Sequence, residues 1–205
     1  MDAHLRAGVA IYNAGGYHAA HDAWEDHWLD LESGTADERF LHGLIQFTAA
    51  VYHATEGNDS GATGLAESAR EYLADLSDDY RGVNVAEVRE FLAALAADPA
   101  LLDDRDPLSL RHGGHRLTPE DLDLEATCVA AAVLAEEDGY DEETVERAAA
   151  YARADAEGGA TGSPFVPLVF DFVRDADNRG IIFQRLSEHV ARRRSREDDV
   201  SGLFE

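Results

Sequence analysis

The residues able to bind a metal ion or move a proton crowd into the first quarter of this sequence. His21 and Glu25 stand four residues apart, with Asp22 between them and Trp28 three further on. On a helix, His18, His21, Glu25 and Trp28 share a side, because separations of three, four and seven residues return to one face. An imidazole and a carboxylate one turn apart can hold a divalent cation, and each can tune the other's proton affinity. His42, Gln46 and His53 recur at similar spacing further along. If the two segments pack side by side, His53 is a third ligand for a metal held by His21 and Glu25. With Asn13 upstream, the candidate binding set is Asn13, His21, Asp22, Glu25, Trp28, Gln46 and His53.

Each of these residues also has a plain structural account. A His–Glu pair at i, i+4 can simply clip its own helix. His42, Gln46 and His53 would form a solvated face opposite a core stripe of Phe40, Leu41, Leu44, Ile45, Thr48, Val51 and Tyr52. Trp24 and Trp28 read as core. The spacing is not that of a zincin, because no His-Glu-x-x-His occurs. His112-Gly113-Gly114-His115 is a second, weaker metal-binding pattern in a loop.

The elements that would position these groups are helical. Apolar residues recur with helical period and no run of strand-type alternation stands out. The pattern predicts helices over 4–14 and 17–32, a third starting after 35 and closed by Gly57-Asn58, a fourth from there to 76, and a fifth over 85–97. Gly15-Gly16 and Ser33-Gly34 break the first two, and Thr35 with Glu38 can form a capping box. Residues 98–117 carry Pro99, Pro107, Gly113, Gly114 and closely spaced Asp, which reads as a linker. Helices resume over 124–137, 142–157, 165–173 and 181–196, the third opened by Ser163-Pro164. The expected organisation is therefore 1–97, a linker 98–117, and a helical extension 118–205. The fold class is all-α, an array of antiparallel helices with a C-terminal helical extension, and 1–97 is expected to fold by itself. In the tail, Leu203 and Phe204 are the residues able to dock.

The charge balance narrows the setting. In 205 residues, 42 Asp and Glu face 17 cations, a net charge of −25, and every cation is Arg. Such a charge repels itself at ordinary ionic strength. Molar salt shortens the screening length to about 3 Å and removes most of that cost. Absence of Lys removes apolar stems that strong salt would tend to salt out. The composition thus points to a salt-adapted protein. Because acidity is the baseline here, only a local basic patch would point to nucleic acid, and no nucleic-acid partner is expected. The one basic run, Arg192-Arg193-Arg194-Ser195-Arg196, is expected to end a helix and complement the macrodipole. Cys128, the sole cysteine, excludes an intramolecular disulfide and reads as a small core residue. Neither a secretion signal nor a run of about 20 apolar residues is visible, so the expected location is cytoplasmic, with no membrane partner. A homo-oligomer is compatible with everything in the sequence.

Several strings together resemble the DUF309 family. They are Tyr12-Asn13-Ala14-Gly15-Gly16-Tyr17 with His21, Glu25 and Trp28, then Gly43-Leu44-Ile45-Gln46 with Ala49-Ala50, then Gly57-Asn58 with Gly61-Ala62. Asp22 stands where the family usually has Glu. The resemblance covers about 4–97 and implies a compact array of antiparallel helices. It implies no activity. Ala10-x-x-Asn13-x-Gly15-x-Tyr17-x-x-Ala20 is also similar to a tetratricopeptide helix-turn-helix, but no second copy follows at the 34-residue period that such arrays need.

These features lead to a soluble cytoplasmic protein that binds a small ligand, a metal or a protein partner in a groove between helices, with a divalent metal as the candidate cofactor. Two alternatives come from other classes: a metal-dependent hydrolase using His21, Glu25 and His53, and a helical adaptor for protein–protein interaction.

Overall fold

Gly15 and Gly16 part the first two helices, α1 (Asp2–Asn13) and α2 (Tyr17–Trp28). Gly15 adopts φ +93°, and a Cβ on Gly16 would lie 2.9 Å from the Ile11 side chain. The chain therefore reverses within two residues. Running antiparallel, α2 lays Trp24 on Gly8 and Tyr17 beside Tyr12, whose rings are 5.3 Å apart. Next come α3 (Ala36–Thr55), α4 (Asp59–Leu73) and α5 (Val85–Ala97), each packed on its predecessor. A computed structural model describes residues 1–201 of the chain, which form two compact units, Met1–Leu122 and the residues from Asp123 onward. The fold is all-α apart from one short hairpin.

In the first unit α3 is the central helix. It packs against both α2 and α4, and its buried residues, among them Phe40, Leu41, Gly43, Phe47 and Val51, lie on more than one side. A Cβ on Gly43 would come within 2.6 Å of Leu73, so that glycine lets α4 approach closely. The expected single core stripe is therefore too narrow. His42 and Gln46 are half-buried between neighbours instead of forming a solvated face, whereas Tyr52, assigned to the core stripe, is exposed. Thr35 does cap α3, accepting the Glu38 N–H at 3.2 Å. The Glu38 carboxylate, however, accepts from the Gly34 N–H and the Trp28 indole. With Trp28 tied to the first turn of α3, α2 stops there, four residues before the predicted end, and 29–34 turn back.

The Pro- and Gly-rich stretch 98–117 belongs to this first unit. It holds a short 3-10 turn (Pro99–Leu102) and a hairpin of β1 (Arg111–His112) and β2 (His115–Arg116). Leu110 and Leu117, which flank the hairpin, are buried. Asn13 grips both: its amide donates to the Leu110 carbonyl at 2.8 Å and the Leu117 carbonyl at 2.9 Å, and its oxygen accepts the Leu110 N–H at 2.9 Å. A fragment 1–122 should accordingly fold in high salt, whereas 1–97 should not. The shorter one leaves the Asn13 amide without partners and removes three buried leucines, Leu110, Leu117 and Leu122, each contributing about 1.5–3 kcal/mol. Cooperative thermal unfolding of 1–97, with the midpoint of 1–122, would refute this.

The second unit contains α6 (Leu124–Glu137), α7 (Glu142–Glu157), α8 (Phe165–Arg174) and α9 (Arg179–Ser201). Asp123 and Asp141 cap the first two through backbone N–H groups of Ala126 and Thr144. Ser163 does the same for α8, accepting from the Phe165 N–H at 3.2 Å. Arg179, itself buried, donates to the Phe172 carbonyl at 2.9 Å and pairs with Asp138, joining the start of α9 to α8 and the end of α6. Cys128 is buried on α6, as its apolar context predicts. Leu203 and Phe204 lie outside the described residues. Among the described residues no helix is long and apolar enough to cross a membrane.

Candidate functional site

On α2, one short stretch gathers three potential ligands. His21, Asp22 and Glu25 each bring a donor atom to within 4.8 Å of the others. The His21 Nδ1 lies 2.8 Å from an Asp22 carboxylate oxygen, and the other oxygen of Asp22 is 3.2 Å from His18 Nδ1. Asp22 thus sits between two imidazoles on one helix face. All three donors are half-buried, which strengthens their mutual interaction relative to open water. The Asp22 hydrogen bond raises the His21 pKa above its ordinary 6.5, against the lowering effect of burial, and the Glu25 and Asp22 charges add to the rise. A half-buried imidazole flanked by two carboxylates can hold a proton or exchange it for a divalent cation.

The other candidates are placed elsewhere. Asn13 grips the hairpin and so fastens the unit together. Trp28 donates its indole N–H to Glu38 at 3.1 Å and lies against the His42 ring, with centroids 4.7 Å apart. His42 in turn stacks on Tyr72 at 3.9 Å, and Gln46 reaches its Nε2 at 3.2 Å. These four side chains fill the junction of α2, α3 and α4. Reasoning by helix face missed Tyr72; its spacing on α4, four residues after Ser68 and one before the core Leu73, gives no polar signal.

His53 does not join the donor group on α2. Its Nδ1 accepts from the Asn58 amide at 3.0 Å, while the Asn58 oxygen caps α4 through the Gly61 N–H at 3.1 Å. A Cβ on Gly61 would sit 2.7 Å from that amide nitrogen and 3.1 Å from the His53 ring. The Gly57-Asn58-x-x-Gly61 string is therefore a helix cap built against a histidine. His112 and His115 face each other across the hairpin, with Asp2 3.9 Å from His112.

Residues 5–65 match the model of a family described as Domain of unknown function (DUF309). The family resemblance read from the motifs is thus supported over α1, α2, α3 and the first half of α4. An uncharacterized protein of Aquifex aeolicus (strain VF5) is 28% identical over 88 residues, covering 43% of this chain. The matched stretch is 26% of that relative's own length. In this DUF309-like segment most of the motif is helix-junction hardware: Gly15 and Gly16 make the turn, Asn13 clips, Trp28 and Gln46 fill a junction, and Asn58 caps. Among the described residues, His21, Asp22 and Glu25 contact one another and, through Asp22, His18.

Proposed function

We propose that this is a cytoplasmic, salt-adapted binding protein whose first unit holds a divalent cation through His21, Asp22 and Glu25. The convergence of these three donors within 4.8 Å supports the reading. One imidazole and two carboxylates suit a borderline ion such as Zn²⁺ or Mn²⁺. Asp22, not His53, is the third ligand here. The junction between α2 and α3 is already filled by Trp28 and His42, which leaves the side of α2 that carries His18, His21 and Glu25 for binding.

The proton sets the sign of the pH dependence. Because its folded-state pKa is raised, the His21–Asp22 contact stabilises the fold at acidic pH and loses that effect as pH rises through the shifted value. Metal binding needs the neutral ring, so affinity should climb through the same window. NMR titration of the full chain should place the His21 midpoint above 6.5, and Asp22→Asn should bring it down. An unshifted midpoint in the unmutated protein would remove this account.

Calorimetric titration with Zn²⁺ tests the binding itself. One equivalent should bind, and His21→Gln or Asp22→Asn should weaken it on the order of 10- to 100-fold, the range seen even for supporting groups at metal centres. Melting in high salt should barely change. His53→Gln should leave affinity unaltered. Failure to bind Zn²⁺ or Mn²⁺ would end the proposal, and an equal loss from His53→Gln would replace it with the hydrolase-type ligand set.

A further inference from the structure

The basic run 192–196 does not end its helix. The α9 helix continues to Ser201, and its last turn carries no basic residue. The macrodipole therefore does not account for these arginines. Instead, His189, Arg192, Arg193 and Arg196, at spacings of three, four and seven, line one side of a cavity of about 690 Å³ inside the second unit. The opposite side is the Gly-rich loop 160–163 and the start of α8, with Thr161, Pro164 and Phe165.

The floor of this cavity is fixed. Arg193 lies over the Tyr151 ring at 4.1 Å and bonds Asp155 at 2.7 Å and Glu197 at 3.3 Å. Ser163 donates to the other Asp155 oxygen at 2.7 Å, and Tyr151 donates to Glu197 at 2.7 Å. Both carboxylates of the lining are thus spent on Arg193 and two hydroxyls. Arg192 has only a 3.6 Å contact to Glu188, with both side chains half exposed, a pair worth little. Arg196 has no carboxylate partner among the described residues. The lining holds three Arg against Asp155 and Glu197, or 3 − 2 = +1, in a stretch 123–205 where 9 Arg face 19 acids, or 9 − 19 = −10. A positive concavity on so negative a unit is a selective feature, because elsewhere the field repels anions.

We propose that this cavity binds a phosphate monoester with an apolar body. Arg192 and Arg196, one turn apart, hold the phosphoryl oxygens, and Thr161 is the neighbouring hydroxyl donor. Guanidinium forks match a dianion with three terminal oxygens better than they match chloride, so the site can discriminate in concentrated salt. Pro164 and the Phe165 edge receive the apolar part. The Ser163 cap already takes the first amides of α8, so the arginines carry the anion recognition.

The test uses the full chain in molar KCl with phenyl phosphate, inorganic phosphate and phenol as probes in calorimetry. Phenyl phosphate should bind at one site, at least about tenfold tighter than either fragment probe. The double substitution Arg192→Gln with Arg196→Gln should weaken it by about tenfold or more, as loss of charged hydrogen bonds does. Arg185→Gln with Arg194→Gln removes the same charge from exposed positions outside the lining, and should change affinity less than about twofold. Four results would overturn the proposal. They are no binding of phenyl phosphate, equal binding of inorganic phosphate, equal loss in both double variants, or tighter binding of a single-stranded RNA oligonucleotide with the same variant dependence.

Discussion

Removing salt should unfold this protein. If every one of the 17 arginines neutralised a carboxylate, 42 − 17 = 25 acidic groups would still be uncompensated. The pairs that do form, such as Arg81 with Asp37, Arg89 with Asp78 and Arg153 with Glu125, lie at exposed or half-exposed positions. They contribute little each. Between molar salt and about 10 mM the screening length grows from about 3 Å to about 30 Å, which exceeds the spacing of neighbouring surface charges and lets the excess act across a whole unit. Unfolding relieves that repulsion by moving the charges apart. Circular dichroism and calorimetry over a KCl series should show a falling melting temperature and then loss of helix at room temperature. A constant midpoint from molar salt to tens of millimolar would show that the acid excess has no stabilising requirement for salt. A non-ionic osmolyte that restored helix as well as KCl does would show that screening is not the cause.

Gly8→Ala should be among the most damaging single substitutions in the first unit, although alanine is the better helix former. A Cβ at position 8 would lie 2.2 Å from the Trp24 Nε1 and 2.3 Å from its Cε2. The indole is fully buried and donates to the Leu5 carbonyl at 3.3 Å, so it has nowhere to retreat without breaking that bond. Helix propensity returns about 1 kcal/mol. Overpacking costs about 1–3 kcal/mol, and an unpaired buried N–H about 1–3 kcal/mol more. The net expectation is a loss of about 1–5 kcal/mol, dominated by sterics. Gly64→Ala is the control. That glycine is exposed on α4 with nothing within 4 Å of its would-be Cβ, so the same change should stabilise by up to about 1 kcal/mol. Urea unfolding in high salt, followed by tryptophan fluorescence, separates the two. Equal stability of Gly8→Ala and the parent protein would mean that α1 and α2 can separate freely.

The helices were legible where burial along one stripe leaves a period of 3.6 in the sequence, as Ala62, Ala66, Ala69 and Leu73 show on α4. Where a helix is covered on several sides the period blurs. On α3, His42 reads as solvent-facing because its partners, Trp28 and Tyr72, come from two other helices. Gly8 and Gly43 were silent for a related reason: a missing side chain announces close approach only when the approaching group is known. The hairpin escaped notice because its two-residue strands are too short for alternation to register, and the contacts that order it, from Asn13, come from about a hundred residues away. His21, Asp22 and Glu25 were visible because local spacing alone brings them together. His53 was grouped with them by helix face, and Asn58, five residues on, claims it instead.

Trp24 and Trp28 belong to Met1–Leu122, and the sole cysteine belongs to the residues from Asp123 onward. The chain therefore carries two native reporters that share no unit. Indole emission follows the first unit alone. Burial pushes the Cys128 thiol up to about 11 and shields it from reagents, so at neutral pH alkylation proceeds only through openings that expose α6. Recording both signals on one sample, without a dye or an engineered residue, measures whether the two units melt as one cooperative body or as two. A thiol that reacts while the indole spectrum is still native would assign the weaker unit directly.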